Sequence, residues 1–248
     1  MTGDHFIKVY TDDASLAGVV AEYLHTGLEE GEAGVVIATA EHITLFSDRL
    51  ASLDIDVAAA LESRQLCFLD ATQTLARFMV DGRPDRRRFL DVVAAALDQA
   101  RTAGHRRVRL YGEMVDLLWA EDLEATVELE SLWNDVLRDE SLSLLCAYRL
   151  DPLDRHVQRV FRRVTHCHSH LLPADRPQAF EAAVDRAYDD VFGADGDVHT
   201  LRELLVAHEA LVTRMSAAQA AMFALDALLP TIAESVRLKA REYYAQPV

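Results

Sequence analysis

The sequence predicts an α/β chain: a three-layer sandwich around a mostly parallel central sheet, followed by a C-terminal all-helical region. Three observations carry this expectation. Up to about residue 150, short apolar runs rich in β-branched and aromatic residues alternate with segments of helical period. Several of those runs are apolar on both faces, as strands covered on both sides must be. After "RLDPLD" only helical periodicity remains.

In chain order, the expected strands are "FIKVYT", "GVVIAT" from Gly34, "LCFLDA" from Leu66, "VRLYGE" from Val108 and "LSLLCAYRL" from Leu142. Between the first two, Leu16, Val19, Val20, Tyr23, Leu24 and Leu28 form one apolar stripe of a helix that ends near Gly31. Ile43, Phe46, Leu50 and Leu53 mark a second helix. Further helices are expected at about 56 to 64, 72 to 80, 86 to 103 and 121 to 139. Strand, helix, strand alternation implies right-handed crossovers. Ligands of such sheets sit beyond the carboxyl ends of the strands, which nominates Tyr10 to Ser15, Thr39 to His42, Asp70 to Thr74 and Tyr111 to Met114 as a rim.

The helical region begins with a helix expected from about 154 to 171 and stopped before Pro173. The linker "LLPADRPQ", a helix to about Phe192 and the turn "GADGD" follow. Leu201, Leu204, Leu205, His208, Leu211, Val212 and Met215 then share one stripe of a long helix, with His208 read as a core residue, and Pro230 breaks the last stretch. An apolar seam of this kind must be buried, so self-association or docking on the α/β domain is expected. The domain boundaries are placed at 1–174 and 175–248.

A net charge of −16 argues against direct nucleic-acid binding, which rests on basic side chains neutralising phosphates. The N-terminus lacks an apolar signal segment, and no run reaches the ~18 apolar residues of a membrane span. Cys67, Cys146 and Cys167 are odd in number and far apart, which fits reduced thiols and a cytoplasmic location.

Four motifs bear on chemistry. "VYTDDASLA", at the first βα turn, has no glycine and no lysine to cradle a phosphate; Asp12 or Asp13 there reads as a helix cap. In "RLYGEMVDLLW", Glu113 falls at a strand end, either as a ligand-binding buried carboxylate or as an acid at a helix N-terminus. Glu130 and Trp133 share one helix face and belong to the same pocket or its outer wall. In "THCHSHLLP", His166 and His170 are an i, i+4 pair supplying only two of the four ligands zinc needs. No metal set and no cofactor is therefore assigned; His168 and His170 are placed at helix-end carbonyls or against Glu113 or Asp12.

Taken together, "HFIKVYTDDASLAGVVAEYLHTGLEEGEAGVVIATAEH", "LCFLDATQTLARFMVDGRPDRRRF", "VRLYGEMVDLLWAEDLEATVELESLWNDV", "SLLCAYRL" and "CHSHLLP" resemble the MEDS family over residues 5 to 174. This is the sensory domain first described from the repressor of dichloromethane catabolism and from regulators in methanogens and methylotrophs. The resemblance implies a fold of the RecA and KaiC class with a degenerate P-loop. It also implies sensing of small hydrocarbon derivatives coupled to transcription or to a histidine kinase. The chain departs from that pattern in showing neither a basic helix-turn-helix nor a kinase domain.

The expected function is thus a non-enzymatic cytoplasmic sensor or signalling adaptor, homodimeric, that binds a small ligand or a regulatory protein and relays it to transcriptional control. Tyr10, Asp12, Asp13, Glu113, Glu130, Trp133, His168 and His170 are its candidate ligand-binding residues. The alternative is a metal-dependent hydrolase or other enzyme using the His166 to His170 cluster with Glu113.

Overall fold

The computed structural model describes residues 3–119, 121–154, 162–193, 200, 203, 204, 206, 207 and 214–246. Strands β1 (His5–Tyr10), β2 (Ala33–Ala38), β3 (Leu66–Asp70), β6 (Val108–Gly112), β7 (Leu142–Arg149) and β8 (His170–Leu171) form one sheet in the order β3-β2-β6-β7-β1-β8. A separate hairpin joins β4 (Met79–Val80) to β5 (Arg83–Pro84). The pairings of β2 with β3, β2 with β6 and β6 with β7 are parallel. The fold is the mostly parallel α/β sandwich that the strand pattern predicts.

Contacts divide the chain into two compact units, Met1–Phe6 with Asp12–Tyr148, and Ile7–Thr11 with Arg149–Val248. In the first unit, α1 (Asp13–Glu29) and α2 (Ala40–Ala51) lie over one sheet face, while α5 (Arg86–Thr102) and α7 (Leu123–Val136) lie over the other. Register and alternation show this. Arg109 and Tyr111 share a face with Ser143 and Leu145. On that face Tyr23 of α1 bonds Ser143 at 2.7 Å, and Phe46 of α2 meets Tyr111 edge-on at 5.0 Å. On the opposite face, Glu130 of α7 reaches Cys146 and Tyr148, and Trp133 packs edge-on against Phe89 of α5.

Local chemistry sets the helix starts. Asp12, Asp56, Asp70, Asp85 and Asp122 each accept a backbone N–H of the first turn of α1, α3 (Val57–Glu62), α4 (Ala71–Ala76), α5 and α7. Each such cap stabilises a helix by about 1 kcal/mol. Thr39 does the same for α2. Gly27 is needed where α1 passes Arg109, because a Cβ there would stand 2.5 Å from the Arg109 Nε. That guanidinium donates to Glu32 at 2.6 Å and to the Tyr23 carbonyl at 2.8 Å.

Two expectations are corrected. The helix expected at 72 to 80 ends at Ala76, and Asp81 and Gly82, with φ of 49° and 79°, turn the chain into the β4–β5 hairpin. An Asp-Gly pair adopts such positive φ at low cost. The helix expected from 154 to 171 does not reach His170. Residues 155–161 lie outside those described, and a helical turn from Arg162 gives way to tight turns at Cys167 and His168 before β8. Backbone pairing decides this: Leu171 donates to the Arg214 carbonyl at 2.7 Å and Leu172 to that of Ile7 at 2.8 Å. His166 and His170 therefore do not share a helix face.

In the second unit, α8 (Pro177–Phe192), α9 (Ala217–Leu228) and α10 (Pro230–Tyr244) enclose a core of Phe180, Val184, Tyr188, Met222, Leu225, Val236 and Ala240. Pro230 opens α10, where its missing N–H costs nothing. The stripe expected from Leu201 to Met215, with His208, falls mostly outside the described residues. Within this core Arg237, 3% exposed, pairs with Asp226 and with Glu234. Asp226→Ala removes the more buried of the two carboxylates and leaves the guanidinium with Glu234, which is expected to cost about 3 kcal/mol in denaturant unfolding, whereas Asp226→Leu with Arg237→Met recovers most of it.

Candidate functional site: a switch-point carboxylate

After β2 the chain moves to β3 on one side; after β6 it moves to β7 on the other. The crevice between the carboxyl ends of β2 and β6 is therefore a topological switch point, where open α/β sheets place their ligands. Two segments end there, Thr39 with the first turn of α2, and Glu113 with α6 (Met114–Trp119).

Glu113 is 2% exposed, and both of its oxygens are engaged. Oε1 accepts the Thr39 backbone N–H at 2.5 Å. Oε2 lies 2.6 Å from His42 Nδ1 and accepts the Tyr111 hydroxyl at 2.9 Å. The Glu113 backbone continues the ladder by donating to the Ile37 carbonyl at 3.2 Å, and its own carbonyl starts α6 by accepting from Asp116. One residue thus ties β2, β6, α2 and α6 together. The N-terminus of α2 adds the positive end of a helix dipole to the donors around the carboxylate.

His42 lies between two acids. Its Nε2 is 3.4 Å from Asp13 Oδ1 at the start of α1, and its ring stacks on Phe46 at 5.5 Å. The hydrogen bond to Glu113 raises its pKa above the ordinary imidazole value. Burial opposes that shift, and the charges of Glu113 and Asp13 reinforce it. Because the Asp13 side chain is 43% exposed, Asp13, His42 and Glu113 form a hydrogen-bonded path from solvent to the buried end of β6. Such a path can carry a proton or exchange partners with a polar ligand.

The other candidates fall elsewhere. Asp12 accepts the Ser15 N–H at 2.8 Å, so a carboxylate already occupies the α1 N-terminus where a phosphate would dock. Glu130 and Trp133 do not share the pocket of Glu113: they lie on the opposite sheet face, because Gly112 and Cys146 are in register and successive side chains alternate. In the second unit, Tyr10 is buried beneath the Arg149 guanidinium at 5.0 Å. There too His168 Nδ1 lies 2.8 Å from the Val164 carbonyl, and His170 contacts Ser169 at 2.8 Å and Arg214 at 3.1 Å. His42 and Tyr111 lie within the predicted rim but carry no motif of their own. What identifies them is contact with Glu113, 71 residues from His42.

Fold and site define an α/β domain whose switch-point crevice is filled by its own ionisable side chains. Residues 4–169 match the family model described as MEDS, the methanogen/methylotroph, DcmR sensory domain; that is 166 of 248 residues, and the chain belongs to this family of sensory domains. No curated protein matches the sequence. Among solved structures it is similar to the KaiC-like protein PH0186 from the hyperthermophilic archaeon Pyrococcus horikoshii OT3, at 16% identity and a TM-score of 0.40. That similarity covers 60% of this chain and 64% of the other, less than two-thirds of its length. Among the described residues no helix is long and apolar enough to cross a membrane.

The His42 pairing has a defined pH signature. The folded-state pKa is raised above the unfolded value of about 6.5, so its stabilisation is fully present below that pH and is lost as pH rises through the folded value. An NMR titration of the His42 ring should give a pKa above 6.5 in the wild type and a lower one in Glu113→Gln, and the stability gap between the two proteins should narrow as pH rises.

Proposed function

We propose that this chain is a non-enzymatic cytoplasmic sensor in which a small molecule enters the switch-point crevice and exchanges hydrogen bonds with Glu113 and His42. The observation that supports this reading best is the Asp13–His42–Glu113 path, half-exposed at one end and buried at the other. The surroundings of the pair are mixed: the buried Phe46 and Tyr111 rings pack beside the polar carboxylate and imidazole. That suits a small, largely apolar compound carrying one polar group, the class associated with the family resemblance. The acidic balance and the Asp12 cap on α1 favour a neutral ligand over a nucleotide.

A ligand shifts a conformational equilibrium only by its differential affinity for the two states. Here that difference lies in which donors hold Glu113. Because Thr39, His42 and Glu113 stand at the first turns of α2 and α6, a new partner for the carboxylate changes how those turns are held. The second unit, with α8, α9 and α10, passes the state to a second copy of the chain or to a regulatory protein, and through it to transcription. Strand β1 belongs to both units and is a direct covalent route between them.

Thermal-shift screening of small apolar metabolites against the wild type and Glu113→Ala tests the reading. At a ligand concentration a hundredfold above Kd, binding stabilises the wild type by about 2.7 kcal/mol. The expected result is a compound that raises the wild-type Tm and leaves that of Glu113→Ala unchanged. Compounds that shift both proteins equally, or none that shifts either, contradict it.

A further inference from the structure

On the sheet face opposite Glu113, His5 of β1, Glu130 of α7 and Cys146 of β7 converge, at 2%, 0% and 0% exposure. We propose that these three side chains bind a divalent metal ion of the zinc class, through His5 Nε2, Glu130 Oε2 and Cys146 Sγ.

The separations between the three donor atoms carry the argument. His5 Nε2 lies 3.4 Å from Glu130 Oε2 and 3.5 Å from Cys146 Sγ, and Cys146 Sγ lies 3.7 Å from Glu130 Oε2. A tetrahedral zinc ion with bonds of ~2.0 to 2.1 Å to nitrogen, ~2.0 to 2.2 Å to oxygen and ~2.3 Å to sulfur requires donor–donor edges of about 3.3 to 3.7 Å. The three donors already stand at three corners of that tetrahedron, and a fourth donor completes it.

The surrounding contacts orient the donors in the same sense. Asn134 Oδ1 lies 3.0 Å from His5 Nδ1; a proton on Nδ1 donated to that oxygen leaves the Nε2 lone pair facing Glu130 and Cys146. The Tyr148 hydroxyl donates to Glu130 Oε1, which turns Oε2 toward the other two donors. Partners behind the ligands that fix tautomer and rotamer in this way accompany metal sites generally. The mixture of imidazole, carboxylate and thiol selects a borderline cation such as Zn²⁺ over Mg²⁺ or Ca²⁺, which take oxygen alone. Binding releases the Cys146 thiol proton to solvent, so affinity rises with pH.

The site is independent of the crevice at Glu113, and its test needs no sensory ligand. The full chain, stripped with chelator and dialysed, is titrated with Zn²⁺ and separately with Co²⁺. The expected results are one equivalent of zinc by elemental analysis after dialysis, a rise in Tm on adding Zn²⁺, and a thiolate-to-Co²⁺ charge-transfer absorption that Cys146→Ser abolishes. Asn134→Ala, which leaves all three ligands in place, should weaken affinity ten- to a hundredfold. Substoichiometric zinc with no charge-transfer band in the wild type overturns the proposal and leaves the cluster as a hydrogen-bonded core. So does a band that survives in Cys146→Ser. If the variants do not fold, the wild-type titration alone decides.

Discussion

A carboxylate taken out of water costs several kcal/mol unless its lone pairs are met. Glu113 meets that requirement with three donors from two segments of the chain: a backbone N–H at the start of α2, an imidazole three residues later, and the phenol of Tyr111 on its own strand. The carboxyl ends of β2 and β6 are where a parallel sheet leaves a crevice, and here the crevice is spanned by those bonds. Replacing any one of them leaves a buried polar group unsatisfied. The site therefore resists casual rearrangement, and the proposed ligand would have to supply equivalent partners.

The second buried carboxylate makes the contrast instructive. Glu130 also has both oxygens engaged, by the Tyr148 hydroxyl on one and Cys146 and His5 around the other, yet it lies between α7 and the opposite sheet face. Sheet alternation separates the two acids even though Gly112 and Cys146 are in register on neighbouring strands. One face thus holds an imidazole–carboxylate path that reaches solvent through Asp13. The other holds a closed set of nitrogen, oxygen and sulfur donors. The first suits exchange with a small molecule, and the second suits an ion.

Strands were the most legible part of the sequence, because runs such as "GVVIAT" and "LSLLCAYRL" are apolar on both faces and a parallel sheet covered by helices demands that. The start of α1 was legible from Asp12 or Asp13, whereas the caps at Asp56, Asp70, Asp85 and Asp122 emerge from the structure. Glu113 could be found because it follows a strand and a glycine at a predicted carboxyl end. Its partners could not, since nothing local marks His42 as facing a residue 71 positions away. The stretch from His166 to Leu171 departs from the expected helix for a related reason: helical periodicity is a local signal, and the pairing of Leu171 with Arg214 and of Leu172 with Ile7 is not. The Asp-Gly turn at 81 and 82 lies just beyond the helix expected at 72 to 80, and the two-residue strands that flank it are too short to show an alternating pattern. His5, Glu130 and Cys146 show no motif spacing at all, the first and the last being 141 positions apart.

Everything assigned to the crevice rests on His42 and Glu113 interacting strongly as a buried pair. A double-mutant cycle of unfolding free energies, using His42→Asn, Glu113→Gln and the double variant near pH 6, measures that interaction directly. A coupling of about 1 to 3 kcal/mol, shrinking as pH rises, is the predicted result. Additive effects at every pH would contradict the account, because the two side chains would then be neighbours in space without holding each other in place.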